Sequence, residues 1–419
     1  MNDSKVRSRL KAQLTKFSAE LCEGLSKPLA GFVAQMLFGI QSSQDVKLSN
    51  IARSKKDIPL IRTEKRLSRN LKSSELEKGL SQQLVAIGSG RVQPHTVLSL
   101  DLSDIRKEYS QKMEYLATVR DGSTGELHSG YWLCDVTAAE VNGSEIVPLY
   151  QKLFSAEAPD ATSENTEILA AIDLIRAYTQ GRGIWVLDRG GDRKRLLEPL
   201  LDRTQRFVIR STGRRTVIDR KGLQGSVAEV AGRCRLRYQA RIIKIQDGKE
   251  KIYELRYGAE PIRLPGRSEP LRLAVIAGFG EEPLMLLTDL PVAAKDSQSL
   301  WWIVQIYLTR WKIEETFRFM KQSYNLEDIR VMKYQRLKNL VILVTAAAYF
   351  AATFLGQQMK LRILCEKLLI ISQRFFGIPP FRFYALADGI RRILSQATFN
   401  PPETPPASLQ LELTLGWEG

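Results

Sequence analysis

The chain has 419 residues, 44% hydrophobic and 26% charged, enough for a sizeable core and two or three domains. Its net charge of +16 and pI near 9.6 favour a polyanionic partner, nucleic acid most simply, with a membrane surface as the other class that basic composition fits. Four scattered cysteines (Cys22, Cys134, Cys234, Cys365) and two histidines (His95, His128) exclude a readable zinc site or disulfide framework and fit reduced thiols in a cytosolic protein.

Residues 1–90 read as helices and hold 16 Lys and Arg against 8 Asp and Glu. The first turns are charged and amphipathic, unlike a signal peptide. KLSNIARSKKDIPLIRTEKRLSRNLKS predicts two short helices with a turn near Pro59. In the second, Leu67 and Leu71 stack at i, i+4, while Arg62, Lys65, Arg69 and Lys72 fall within about 80° on the opposite side. That pattern is either a leucine-packed helix presenting a cationic ridge to DNA or an ordinary solvated face.

At Val97 the pattern changes to strand. VLSLDL is an apolar run ending in Asp101; GYWLCDVTA and EIVPLY are further strands, with an Asp-Gly turn at 121–122. NTEILAAIDLIRAYTQ predicts a helix, GIWVLD a buried strand ending in Asp188, DRKRLLEPLLDR a helix and RFVIRS another strand. The result is an α/β core, a mixed sheet flanked by helices. His95 and His128 lie at a strand start and after a turn, positions that suit structural roles.

From Thr212 to about Asp296, short β-prone segments are broken by Gly and Pro. Residues 204–256 carry 14 Lys and Arg against 5 Asp and Glu. In RCRLRY, Arg233, Arg235 and Arg237 alternate with Cys234, Leu236 and Tyr238, as on a strand with one guanidinium face. Such a face repels itself unless an anion is near, which points to a nucleic-acid backbone.

YLTRWKIEETFRFMK follows. Wound at 3.6 residues per turn, Tyr307, Arg310, Glu314 and Lys321 share a stripe about 60° wide. Trp302, Ile306, Ile313, Phe317 and Met320 form an apolar stripe beside it. A carboxylate among a phenol, a guanidinium and an ammonium suits a metal ion and a phosphodiester; the bland alternative is a surface salt-bridge face. Leu340 to Gly356 carries no charge, but it is short for a membrane span and reads as a buried core helix. The tail from Asn400 is Pro-rich, and no internal repeat is evident.

Asp101 and Asp188 close apolar strands, where ligand groups converge in such sheets, and Glu314 comes from a distant helix. Two aspartates and a glutamate can hold two divalent ions about 4 Å apart for in-line phosphodiester attack. Mg²⁺ suits these hard oxygens, with Mn²⁺ as an alternative. Asp104 competes with Asp101 but does not continue the apolar run. Asp192 competes with Asp188 but sits where a helix cap is expected. Glu315 falls off the stripe.

These residues resemble the bacterial DDE transposases of the insertion-sequence-four group. YLTRWKIEETFRFMK matches their signature Y-x2-R-x3-E-x6-K at every named position; DRGGDRKRLLEPLLDRTQRFVIRS resembles their second-aspartate motif and LSLDLSDI the first. The likeness covers about residues 45–375. It implies an RNase H-like core split by a β-rich insertion, in which Asp101, Asp188 and Glu314 bind the catalytic metals. Tyr307, Arg310 and Lys321 would hold phosphates of the cut end, with Arg189 and Arg210 assisting. The enzyme would nick the transposon end, form and reopen a hairpin, and join the 3′-OH to target DNA. A homodimer would pair two terminal inverted repeats, in the cytoplasm at the nucleoid and without a membrane role. One departure is Leu284, with Met285 beside it, where relatives place a tryptophan that receives a flipped base. The expected division is 1–90 helical DNA-binding domain, 91–211 first part of the core, 212–296 β-rich insertion, 297–375 second part with the Glu helix, and 376–419 tail. The alternatives are a relative that only binds DNA and a Mg²⁺ nuclease without strand transfer.

Overall fold

The computed structural model describes residues 3–399 except 109, 111, 121–123, 247–248, 293–295, 357–358 and 373–381. The Asp-Gly turn at 121–122 and the tail from Asn400 lie outside the described residues. Helices open the chain: α1 (Asp3–Leu21), α2 (Lys27–Ser43), α3 (Leu48–Ala52), α4 (Leu60–Asn70) and α5 (Glu75–Ser89). Leu10, Leu14, Phe17 and Leu21 recur at three- and four-residue spacing, so α1 buries one stripe. α2, with Pro28 in its first turn where a missing N–H costs nothing, is buried along nearly its whole length from Phe32 to Ser42.

Strands β1 (Val97–Arg106), β2 (Ala117–Arg120), β3 (Leu127–Ala139) and β4 (Val147–Phe154) come next. They are followed by α6 (Glu164–Thr179), β5 (Ile184–Leu187), α7 (Lys194–Asp202) and β6 (Phe207–Arg210). Then come β7 (Thr216–Asp219), β8 (Gln224–Ser226), α8 (Val227–Gly232), β9 (Tyr238–Gln246), β10 (Lys249–Arg263), β11 (Leu271–Ala277) and β12 (Leu284–Thr288). The described chain ends with α9 (Ser297–Thr309), α10 (Lys312–Tyr324), α11 (Tyr334–Ala352), α12 (Met359–Ser372) and α13 (Arg382–Leu394).

Among the described residues the strands form one 12-stranded sheet in the order β2-β3-β1-β5-β6-β12-β11-β10-β7-β8, with β4 on β3 and β9 on β10. β1, β5 and β6 run parallel, and the other pairs are antiparallel. Period-two alternation sorts the side chains. Val97, Ile184, Val186, Val208, Ala274 and Leu286 face a smaller core capped by α9. Leu98, Trp185, Leu187, Phe207, Ile209 and Leu273 belong to the larger core, with α6 and α7.

Several expectations change. The segment 212–296 holds β7 to β12, and its strands extend the sheet directly, because β12 pairs with β6 and β11 with β12. Arg233 to Arg237 form no ladder strand; they run between α8 and β9. The alternation in exposure survives, with the three arginines outward and Cys234 and Leu236 half-buried, since the backbone at Arg235 rests against Gly258, where a Cβ would come within 2.2 Å of it. The span 376–419, expected as a tail, includes α13, which buries Phe383, Leu386, Ile390 and Leu394. Their three- and four-residue spacing was the missed helical signal. The uncharged run in α11 is buried from Leu340 to Ala351, and among the described residues no helix is long and apolar enough to cross a membrane.

Candidate active site

β1 pairs with β3 along its whole length, from Val97 opposite Ala139 to Arg106 opposite Gly130. Asp101 therefore lies within a strand and does not close it. Its parallel partner β5 covers only Val97 to Ser99, so Asp101 stands just beyond the last pairing on that side. Carrying the register forward sets Asp101 abreast of Asp188, and the β5–β6 register sets Asp188 abreast of Arg210. Alternation turns all three towards the face capped by α9. Asp188 accepts a hydrogen bond from the Gly190 N–H at 2.7 Å, closing a 3-10 turn over Arg189–Gly191. Gly191 packs so tightly that a Cβ would lie 2.4 Å from that of Leu187.

Asp192 does not cap α7, whose N-cap is Arg193, but follows the 3-10 turn at its C-terminal end. It accepts from Ser211 Oγ at 2.8 Å, the Thr212 N–H at 2.9 Å and Arg215 Nε at 2.5 Å, and so pins the chain after β6 to the end of β5. The helix begins only at Lys194.

Tyr307 to Lys321 is not one continuous helix. α9 ends at Thr309 and α10 begins at Lys312. Across the break the N–H groups of Arg310, Ile313 and Glu314 bond to carbonyls three residues back, at 3.0–3.1 Å. This is a tightening of the kind that marks functional hinges. Thr309 and Thr316 donate to the carbonyls of Gln305 and Lys312, which bends helices. The apolar stripe divides accordingly: Ile306 enters the smaller core, while Ile313, Phe317 and Met320 enter the larger, and Trp302 is half-buried edge-on to His95.

The break aims Arg310 between two acids. Its Nη1 is 3.2 Å from Asp101 Oδ2 and its Nη2 is 2.8 Å from Glu314 Oε1. The guanidinium lies 6.0 Å from the centre of the buried Tyr307 ring. Lys321, two turns after Glu314, pairs with Glu327 at 2.8 Å.

Burial, then the neighbouring Asp188, push the Asp101 carboxyl up to about 7; Arg310 and the Leu102 N–H oppose this, and Glu314 adds to it. Burial works against the charge on Arg310, but Asp101, Tyr307 and Glu314 outweigh it and raise its pKa. Asp135, directly opposite Asp101 on β3, is fully buried and held well above the carboxylate range by desolvation. Its Oδ1 accepts from Gln151 Nε2 at 2.5 Å, and its Oδ2 has no partner.

Among the described residues no three acidic, thiol or imidazole groups are placed to share one ion as they stand. The geometry gives the reason: Arg310 fills the space between Asp101 and Glu314. The donors nevertheless fit a hard divalent cation, being carboxylate oxygens short of positive charge, as the raised Asp101 shows. The Glu314 side chain, 54% exposed, has room to turn towards it.

The other predicted cations take separate places. Arg62, Lys65, Arg69 and Lys72 are exposed along α4, while Thr63, Leu67 and Leu71 face inward, and α4 packs on α2 and α3. Arg189 is exposed beside Asp188, 4.0 Å from Glu282; Arg233 is 3.7 Å from Asp219. Leu284 is buried in the α9-capped core. Sequence reading missed Asp135 and Glu327. An acid inside the apolar run GYWLCDVTA was a visible sign of the first, but its placement opposite Asp101 depends on a register that no local pattern reveals.

The family described as a transposase DDE domain matches residues 93–350, more than half of the chain. None of the curated proteins matches. Among solved structures, the chain is similar to one in the cryo-EM structure of the piggyBac transposase synaptic complex with hairpin DNA. The identity is 12% and the TM-score 0.43, over 96% of this chain and 86% of that one. On the family match, the chain belongs to the DDE-domain transposases.

Proposed function

We propose that this DNA transposase works by cut and paste: it binds the terminal inverted repeats of its element, cleaves both ends and joins the freed 3′-OH groups to target DNA. The observation that carries this reading is the nearness of Asp188, just past the end of β5, to Asp101 on the parallel neighbour β1, with Glu314 tied to Asp101 through one guanidinium. Asp101, Asp188 and Glu314 would hold Mg²⁺, or Mn²⁺ in its place. The bound ions would supply positive charge at the scissile phosphate and a lower pKa for the attacking oxygen.

The chain's own residues have separable tasks. Arg310, whose planar fork bridges Asp101 and Glu314, has the geometry to grip a phosphate, and Lys321 offers a point charge two turns on. Tyr307 supports Arg310 from below, and Arg189 and Arg210 flank Asp188. The α4 cations and Arg233, Arg235 and Arg237 hold backbone further out. The core is RNase H-like, residues 1–90 contribute the end-binding face, and two protomers pair two ends at the nucleoid. With Leu284 buried, no aromatic stands at that position to receive a flipped base, so a hairpin step is not part of this proposal.

The test is purified protein with a supercoiled donor carrying the inverted repeats. Release of the element is expected, together with its loss in Glu314→Gln while end binding persists. Unchanged excision by that variant would remove the mechanism. Failure to join a pre-cut 3′-OH end to target DNA would reduce the enzyme to a nuclease.

A further inference from the structure

Four cations line a cleft of about 550 Å³ between α4 and the start of α11: Lys65 and Arg69 on α4, Lys72 just past its end, and Arg336 on α11. Glu64 is the only acid on its wall. Neighbouring cations are matched: Arg66 donates to Gln35 at 2.6 Å, Lys47 pairs with Asp328 at 2.6 Å, and Lys338 pairs with Glu77 at 3.1 Å. Among the described residues, the four cleft cations have no ion-pair partner within salt-bridge distance. Arg336 is the telling one, because its Nε is buried and donates to nothing.

Arg336 also lies in the first turn of a 19-residue helix that has no acidic residue there. An anion normally favours that end of a helix, and a cation disfavours it. Glu114 meets part of the demand by accepting from the Tyr334 N–H at 2.9 Å, but Lys333 already occupies that carboxylate. Glu114 also lies within electrostatic reach of Arg336, yet the buried Nε keeps no acceptor, so an external anion would relieve like charges crowded at a positive helix end.

We propose that this cleft seats the phosphate backbone of duplex DNA, with Arg336 as the anchoring contact supplied by the catalytic half of the chain. Lys65 and Arg69 on α4 and Lys72 just past its end extend over roughly 10 Å. One strand of duplex offers about three phosphates over that length. A small anion would leave most of the row unpaired, so a repeating polyanion fits better. Ile61, 67% exposed on the cleft wall, adds an apolar contact for the sugar edge. Since α11 packs against α10, the contact fixes the seated duplex relative to Glu314 and Lys321. The inference rests on the DNA-binding reading above and adds to it Arg336 and the cleft that this residue shares with the α4 cations.

The experiment is fluorescence anisotropy of the full chain with a labelled inverted-repeat duplex and an unrelated duplex across a salt series. Arg336→Gln should weaken both about equally, roughly five- to tenfold, and lower the slope of log affinity against log salt by about one. Unchanged affinity and slope in Arg336→Gln, alongside weakened binding in Lys65→Gln/Arg69→Gln, overturns the inference while leaving the DNA-binding reading standing. No effect in either variant removes α4 and the cleft together from the DNA surface. In Arg336→Lys the new amine gives a readout independent of affinity. Duplex DNA should suppress its acetylation, measured by mass spectrometry, and acetylation indifferent to DNA overturns the inference. Suppression by anionic vesicles alone would do the same.

Discussion

Asp101 bears an unbalanced charge, because desolvation and two nearby carboxylates outweigh the Arg310 guanidinium and the Leu102 N–H that favour its ionisation, which leaves its pKa near 7. The unfolded chain titrates the same group near 3.9. The native state thus binds the proton more tightly, and stability present below about pH 4 is lost as the pH rises through about 7. Three units correspond to roughly 4 kcal/mol at most. With the side chain 24% exposed, about 1–3 kcal/mol is the expected size. Asparagine keeps the shape without the charge. In chelator at about pH 8, Asp101→Asn should therefore melt several degrees above the parent and lack the parent's decline in stability above about pH 5. Divalent cation should recover the parent and leave the variant unmoved. A variant that melts lower, or a parent whose melting is flat over that range, would show that Asp101 is already balanced. The cost of keeping Asp101 ready for the proposed cation is then a protein less stable without it.

The helical elements around Glu314 are held from the end of β1. Lys107 directly follows that strand, is buried, and donates through Nζ to the carbonyls of Glu327 and, at 3.0 Å, Ile329. These carbonyls lie in the turn between α10 and α11, and Glu327 also pairs with Lys321. One lysine thus ties the Asp101 strand to the turn that orients Lys321. Lys107→Met keeps the apolar stem but strips two carbonyls of their donor, a loss of about 1–3 kcal/mol in urea unfolding. Burial lowers the Lys107 pKa to about 8 despite Glu327 and Asp328. The unfolded chain therefore binds this proton more tightly, and Lys107 should make the parent gain stability between about pH 8 and pH 10, a slope absent from the variant. A neutral substitution with the slope intact would show the clamp to be ornamental. Such ties also explain what was legible beforehand. Asp188 and the β5–β6 pair announce themselves as short apolar runs ending in polar residues, and the Tyr307–Lys321 spacing places four side chains on one helical face. The break at Arg310 has no local signal, because Trp311 and Lys312 tolerate helix well; it depends on bonds to Asp101 that exist only after folding. Asp135 and Glu327 were hidden for the same reason, their importance lying in register and turn geometry.

At the scale of the molecule, the first ninety residues do not enclose a core of their own. Phe17 of α1 stacks on Tyr349 of α11 with ring centroids 5.8 Å apart and meets Phe350 at 5.6 Å. Gln41 of α2 donates to the Ala347 carbonyl at 2.7 Å, and Asn339 of α11 donates at 2.7 Å to the carbonyls of Leu71 and Ser73. α13 closes the same cluster, with contacts to α1, α2 and α11. The N-terminal helices and the half of the chain that carries Glu314 therefore belong to one hydrophobic unit that the sheet joins at β4. A chain beginning at residue 91 would leave the apolar surface of α11 from Leu340 onward without its cover and several buried polar groups without partners. Each uncovered Leu, Val or Phe side chain forfeits about 1.5–3 kcal/mol of burial, and a few of them suffice to exceed the whole stability of a typical domain, about 5–15 kcal/mol. That truncation should accumulate as aggregate, or bind a hydrophobic dye and melt without cooperativity. Limited proteolysis of the intact chain should likewise release no stable fragment covering residues 1–90. A soluble truncated chain with a sharp melting transition would mean that the two regions fold separately, and the seating of DNA between α4 and α11 would then have to depend on their docking instead of on a shared core.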